Sequence, residues 1–223
     1  MSQTIQKTSD EEGKYAEYIV KFLSKAINAD YKDVSDVSDY QRQDIDALVN
    51  GFAVEIKNDT IIWTTKNAVY EKITHAHKKD VDIIKSILNS REYVKHSDIP
   101  DNLGSIGCNE KCEATHIFYV STIEDINKPK HYKLNWKDPI FIINNKKLKN
   151  YVKNTSFYHN DVKIVWQQED KAWNIIILLN IDNLIKEGIA RRLNQNTIEI
   201  LKTKENVFSE AHTSKELENL LLD

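Results

Sequence analysis

The chain has 223 residues, 40 % of them hydrophobic, and its 31 Lys+Arg against 34 Asp+Glu leave a formal net charge of −3 at pH 7. That length suits one domain, or a core with a sizeable elaboration, while five glycines and three prolines leave little room for long flexible linkers. No apolar run approaches a membrane span, the N-terminus lacks the layout of a signal peptide, and two cysteines do not make a disulfide framework, so a reducing cytoplasmic setting is expected.

From the N-terminus, Ser9-Asp10-Glu11-Glu12 reads as a capping box, with Ser9 as N-cap and Glu12 at the third helical position. The helix it opens should run to about Asn28. Ala16, Ile19, Val20, Leu23, Ala26 and Ile27 recur at helical spacing, with Phe22 at the margin and Glu17 beside the stripe. Residues 30–40 are polar, with Asp33, Asp36 and Asp39 spaced by threes, and read as a loop with at most a short strand. They lack the glycine and terminal glutamate of a calcium loop.

Asn50-Gly51 lies between two alternating runs, and a type I′ hairpin turn needs positive φ at both central residues. That turn sets Val49 opposite Phe52, Asp46 opposite Glu55 and Asp44 opposite Lys57. Side chains alternate, so one face carries Ile45, Ala47, Val49, Phe52, Val54 and Ile56. The other carries Asp44, Asp46, Leu48, Ala53, Glu55 and Lys57. Asp46 opposite Glu55 is a like-charge pair that costs roughly 0.2–1 kcal/mol. A divalent cation between them reverses that sign; Mg²⁺ favours a few carboxylates together with waters and phosphate oxygens. The plain alternative is a solvated hairpin face with Lys57 paired to Asp44.

Asp46 followed by Glu55-Ile56-Lys57 resembles the D…(D/E)-x-K signature of the PD-(D/E)XK nuclease superfamily, whose fold is called restriction-endonuclease-like. Gln41-Arg42-Gln43-Asp44-Ile45-Asp46 resembles the run before the metal-binding acid in some phage and archaeal members. No proline precedes either aspartate, which leaves Asp46 and Asp44 as alternatives for the family's acid; the hairpin register favours Asp46. The resemblance implies an α/β fold, a mixed central sheet flanked by helices with a C-terminal α+β elaboration. It implies one nuclease domain over 1–223, with a catalytic core at about 9–125 and the elaboration at about 126–223. Catalysis would rest on Asp46, Glu55 and Lys57, with Mg²⁺ (or Mn²⁺) held by Asp46, Glu55 and the Ile56 carbonyl. Glu17 matches an N-terminal-helix glutamate of many members, and Gln43, Asp44, Asp59 and Glu71 are further supporting candidates. Asp59, the Thr65-Lys66-Asn67 turn and Glu71 resemble a segment that follows E-x-K in some relatives.

Downstream, Thr65 and Asn67 could cap a helix. Val69, Ile73, Ala76, Val81, Ile84, Ile87 and Leu88 then predict a helix from Ala68 to Leu88, broken near Lys78 to Asp80. His75 and His77 share no helical face, and read as surface residues of a basic stretch able to meet phosphate. Cys108 and Cys112 form a C-x₃-C half-site; His96 and His116 make a Cys₂His₂ zinc site conceivable, although coincidence is the plainer reading. Strands are predicted at 114–121, 139–143, 162–167 and 173–179, the last two joined by a turn at Glu169-Asp170, and at 197–202. Helices are predicted at 146–152, 181–188 and 214–222. Interleaved strands and helices indicate an α/β or α+β sheet.

The resemblance makes a metal-dependent DNA endonuclease of restriction, phage or recombination type the leading expectation, with DNA as partner and a homodimer for two-strand cutting. A catalytically inactive member that binds DNA or protein, and an interaction protein docking a basic partner on the acidic face, are the alternatives. The net negative charge is a point against nucleic-acid binding, so phosphate attraction must be local. His75 to Lys79, Lys128 to Lys133, Lys146 to Lys153 and Arg191-Arg192 are the candidate stretches.

Overall fold

The computed structural model describes residues 2–124, 132–168 and 171–203. In chain order, helix α1 (Ser2–Ala26) leads to strand β1 (Tyr31–Asp33), the short helix α2 (Ser38–Gln41), β2 (Ala47–Val49) and β3 (Phe52–Asp59). One helical turn, α3 (Ile62–Thr65), precedes β4 (Asn67–Ala76), α4 (Lys78–Ser90), β5 (Tyr93–Lys95), β6 (Ser105–Ile106) and α5 (Cys108–Lys111). Next come β7 (His116–Glu124), β8 (Tyr132–Leu134), β9 (Ile140–Asn144), α6 (Asn145–Asn154) and β10 (Ser156–Tyr158). The described chain ends with β11 (Val162–Gln167), β12 (Ala172–Asn180), α7 (Ile181–Lys186), β13 (Ala190–Arg192) and α8 (Gln195–Lys202). The protein is α/β in class, and its described residues pack as two compact units. The described residues within Met1–Lys66, Glu113–Asn144 and Ala190–Asp223 form the first, those within Asn67–Cys112 and Asn145–Ile189 the second.

The first unit is built on a mixed sheet of order β1-β2-β3-β7-β9-β13, with β8 paired to β7. Its hairpin has the expected register, Val49 opposite Phe52 and Ala47 opposite Val54, and both turn residues have positive φ (Asn50 49°, Gly51 78°). Asn50 also ties in the sheet edge: its side-chain oxygen accepts the Asp30 N–H at 2.8 Å. β3 and β7 run parallel, from Val54 opposite His116 to Asp59 opposite Ser121. β7 is buried on both faces, Ile117 to Val120 all being core residues, as a central strand of a mixed sheet should be. Helix α1 covers the sheet with Ala16, Ile19, Val20 and Leu23, which pack with Ala47, Val54, Ile56 and Val120.

The second unit holds an antiparallel sheet of order β11-β12-β4-β6 and a two-stranded ribbon of β5 and β10. Gly107 lets its chain lie against β4: a Cβ there would meet the Glu71 carbonyl oxygen at 2.2 Å, and the Gly107 N–H bonds to Lys72 O at 3.0 Å. Leu148 and Val152 of α6 are buried, as their spacing predicts.

Several expectations need correction. Helix α1 begins at Ser2, so Ser9 lies within it rather than capping it. Ile27 lies past its end and is exposed, because the chain turns at Asn28 with φ 55°. The helix expected over Ala68–Leu88 is strand β4 followed by helix α4. Ladders to β12 and β6 pair both edges of β4, so tertiary pairing overrides a spacing that mimics a helix. Consequently Thr65 and Asn67 cap no helix. The strand expected at 197–202 is helix α8, opened by Asn194, whose side chain accepts the Thr197 N–H at 2.9 Å. Asp44 is not in the hairpin but in a turn, with φ 51°. The helix expected at 214–222 and the turn at Glu169-Asp170 lie outside the described residues.

The packing face of α1 can be tested directly. Ile19→Ala should lower stability by about 2–5 kcal/mol. Ile27→Ala, on a residue 46 % exposed, should stay within about 0.5 kcal/mol of the native protein. Urea unfolding followed by circular dichroism reads both, and equal losses would contradict this face assignment.

Candidate active site

The site lies at the N-terminal end of β2. Backbone pairing continues to Asp46, whose N–H bonds to Val54 O at 2.9 Å. One step on, the partner of the Ile56 N–H is the Asp46 carboxylate, Oδ2 at 2.7 Å, in place of a backbone carbonyl. The N–H and C=O of a strand residue point to the same edge, so the Ile56 carbonyl also faces the edge that β2 has vacated. The next residues, Glu55 and Lys57, alternate onto one face of β3, and Lys57 Nζ lies 3.0 Å from Glu55 Oε1. Their side chains are only 12 % (Glu55) and 24 % (Lys57) exposed, which sets the electrostatics of the pair.

Burial dominates the Glu55 proton affinity. It raises the carboxyl to about 7, Lys57 pulling it down and Asp46 pushing it up. Burial also raises Asp46, against the opposing Ile56 N–H and Lys57. Glu17, on α1, is lifted to about 7, first by burial and then by the charge of Asp46, with Asp33 and Asp36 adding to it. Asp46 therefore acts on both Glu55 and Glu17, and the acidic field extends to β1. The triplet spacing of Asp33 and Asp36 was visible in the sequence, but their closeness to Glu17 follows only from the β1–β2 pairing, which sets Asp33 opposite Ala47.

The other candidates have structural partners. Asp59 braces the turn after β3, accepting the N–H of Ile61 at 2.9 Å and of Ile62 at 2.8 Å, and burial raises its carboxyl. Gln43 offers its backbone carbonyl to the Glu113 N–H. Glu71 belongs to the second unit, where its carboxylate accepts from the Cys108 thiol at 2.8 Å and the Asn174 amide at 2.7 Å. In that unit His96 pairs with Glu110, which also accepts from Tyr70, and Cys112 lies near Asn145. His116 belongs to the first unit, edge-on to Phe52.

Among the described residues no group of three or more His, Cys, Asp or Glu side chains could hold a metal ion. The hairpin edge instead offers two carboxylates and a carbonyl. All are oxygen donors, and burial raises the proton affinity of both carboxyls. That donor set fits a hard cation such as Mg²⁺ with waters and substrate oxygens completing its shell, and does not fit a closed all-protein cage.

The raised carboxyls have a measurable consequence. Without divalent cation, folded Glu55 keeps its proton up to about pH 7, whereas the ordinary value is 4.5. The folded state binds more protons in that window, so stability should fall as pH rises through it. Glu17 acts in the same direction. Glu55→Gln should remove part of the fall and leave the variant more stable than the native chain above about pH 7. Melting curves across pH in EDTA test this, and an unchanged slope in the variant would contradict the buried, charge-opposed state of Glu55. Compared with protein-family models, curated proteins and solved structures, the chain matches none.

Proposed function

We propose that this protein is a divalent-cation-dependent deoxyribonuclease of the restriction-endonuclease-like class, hydrolysing phosphodiester bonds at the edge formed by Asp46, Glu55, Ile56 and Lys57. The observation that carries the reading is the end of β2: the Asp46 carboxylate takes the Ile56 N–H there, so the carboxylate and the Ile56 carbonyl share one edge. The identity of the substrate as DNA rests on the resemblance of D…E-x-K to that nuclease superfamily.

Asp46, Glu55 and the Ile56 carbonyl would hold the cation, which when bound would lower the pKa of a water and offset phosphate charge. Asp46 is oriented for this by its bond from the Ile56 N–H. Lys57, in reach of Glu55 Oε1, stays close to the carboxylates and presents its charge where negative charge grows on the phosphate. In the reaction a bond forms from water oxygen to phosphorus, the bond to the leaving sugar oxygen breaks, and that oxygen takes up a proton. Cutting both strands of a duplex calls for two such edges, which a symmetric homodimer would supply.

Two measurements test the proposal. Mg²⁺ at about a hundred times its dissociation constant should raise native stability by about 2.7 kcal/mol, and an Asp46→Asn, Glu55→Gln double variant should gain nothing. On supercoiled plasmid, Mg²⁺ or Mn²⁺ should support cutting that EDTA abolishes, and Lys57→Ala should slow it by about 10²–10³-fold. Cutting that survives in Lys57→Ala would sink the assignment of Lys57. A folded native protein that cuts no duplex, single-stranded or branched DNA would leave the binding-only reading in its place.

A further inference from the structure

The second unit carries a groove that the hairpin site does not use. It is an open depression of about 830 Å³, lined by His75, His77, Lys78, Trp166, Lys171 and Trp173, together with two alanines. Among the described residues its lining contains no carboxylate. Of the four basic stretches in the sequence, this one is positioned around aromatic rings, whereas others have structural duties. Lys149 binds the carbonyls of Glu110 and Cys112, Lys147 that of Gly188, and Arg192 binds Asp138 and lies over Phe141.

The backbone beside the groove is irregular. Along β4 the partners of Trp173, Ile175 and Ile176 are Ala76, Ile73 and Glu71, so β4 carries an extra residue in each interval. Such bulges re-aim side chains and recur next to functional sites. Within the bulge between Ile73 and Ala76, His75 has φ 54°, uncommon for a residue with a side chain. Buried Asn174 holds it there: Oδ1 accepts the His75 N–H at 3.3 Å, while Nδ2 donates to Glu71 at 2.7 Å. Glu71 thus fixes Asn174, and Asn174 fixes the bulge that presents His75.

Trp166 and Trp173 stand directly opposite each other on β11 and β12, ring centroids 5.0 Å apart at 62°, and Trp166 is 46 % exposed. A cross-strand tryptophan pair stabilises a hairpin by itself. Stabilisation alone does not require cations around the rings or a half-exposed indole. Aromatic faces flanked by lysines suit one ligand chemistry well: unpaired bases stack on the rings while Lys78 and Lys171 meet the phosphates. A duplex keeps its base faces stacked internally and cannot use the indoles. We propose that this groove binds a single strand of nucleic acid, independently of any cleavage by the first unit.

The test is anisotropy of a labelled oligothymidylate of about a dozen residues, measured in EDTA so that cleavage plays no part. An oligouridylate and a duplex are run alongside. The native chain should bind either single strand more tightly than duplex, and the two single-stranded probes distinguish DNA from RNA as the preferred source. Trp166→Ala should weaken binding about 10- to 100-fold, with Trp166→Phe restoring part of it. Lys78→Glu with Lys171→Glu should weaken binding and flatten the slope of log K against log salt by about 1.4. Trp166 is half exposed, and circular dichroism checks that its variants keep the fold despite losing the cross-strand pair. Absence of native binding to both single strands, tighter binding of duplex, or unaltered affinity in Trp166→Ala would each overturn the proposal.

Discussion

The parallel pairing of β3 with β7 is the constraint on which the rest of the architecture depends. Antiparallel neighbours can be joined by two residues, as Asn50 and Gly51 join β2 to β3, but a parallel neighbour needs a crossover. This chain makes it with a long excursion, leaving the first unit after Lys66 and returning at Glu113. It leaves again after Asn144, between β9 and its antiparallel partner β13, and returns at Ala190. Both excursions contribute strands to one further sheet, in which β12 from the second pairs with β4 from the first. The second unit is thus assembled from two segments distant in sequence, each flanked along the chain by strands of the first.

Within the first unit the same strand, β3, does two things. Val54 and Ile56 turn one face into the core under α1, while Glu55 and Lys57 occupy the other face. Because β2 begins only at Ala47, Ile56 lacks a backbone partner on that edge, and Asp46 supplies one from its side chain. The result is a cluster of carboxyls that the fold by itself does not favour. Burial, with neighbouring carboxylates adding to it, raises the proton affinities of Asp46, Glu55 and Glu17; Lys57 offsets part of this at Asp46 and Glu55, and Lys14 at Glu17.

In the second unit the buried polar residues form an ion pair and two connected networks. Lys72, almost wholly buried, reaches Asp101; His96, Glu110 and Tyr70 form a second set; Cys108, Glu71 and Asn174 form a third that ends on the bulged backbone at His75. Satisfied networks of this kind rigidify a core, since a buried polar group without its partner is costly. Here rigidity matters because the backbone of β4 departs from a regular ladder twice, and the groove with its two tryptophans sits beside the second departure.

The sequence alone determined the features that rest on local chemistry. Asn50-Gly51 specifies its turn through positive φ, and the turn specifies which residues share a hairpin face, although Phe52, expected in the core, lies beside the turn and is 56 % exposed. The spacing of Ala16, Ile19, Val20 and Leu23 specifies the buried face of α1. Asp46, Glu55 and Lys57 were legible as a group for the same reason, because the hairpin register is local. What the tertiary structure decided depends on partners remote in the chain. Residues 67–76 carry a pattern compatible with helix, and became a strand because β12, about a hundred residues later, offers a ladder to pair with. Asp44 left the hairpin because the chain turns at Gln43 and Asp44 to leave α2. Glu71, matched to a supporting role by resemblance, instead holds Asn174, a contact across 103 residues. Periodicity reports which faces of a segment are apolar. It does not report what will lie against them, and where strand and helix bury similar residues, only the available neighbour chooses between them.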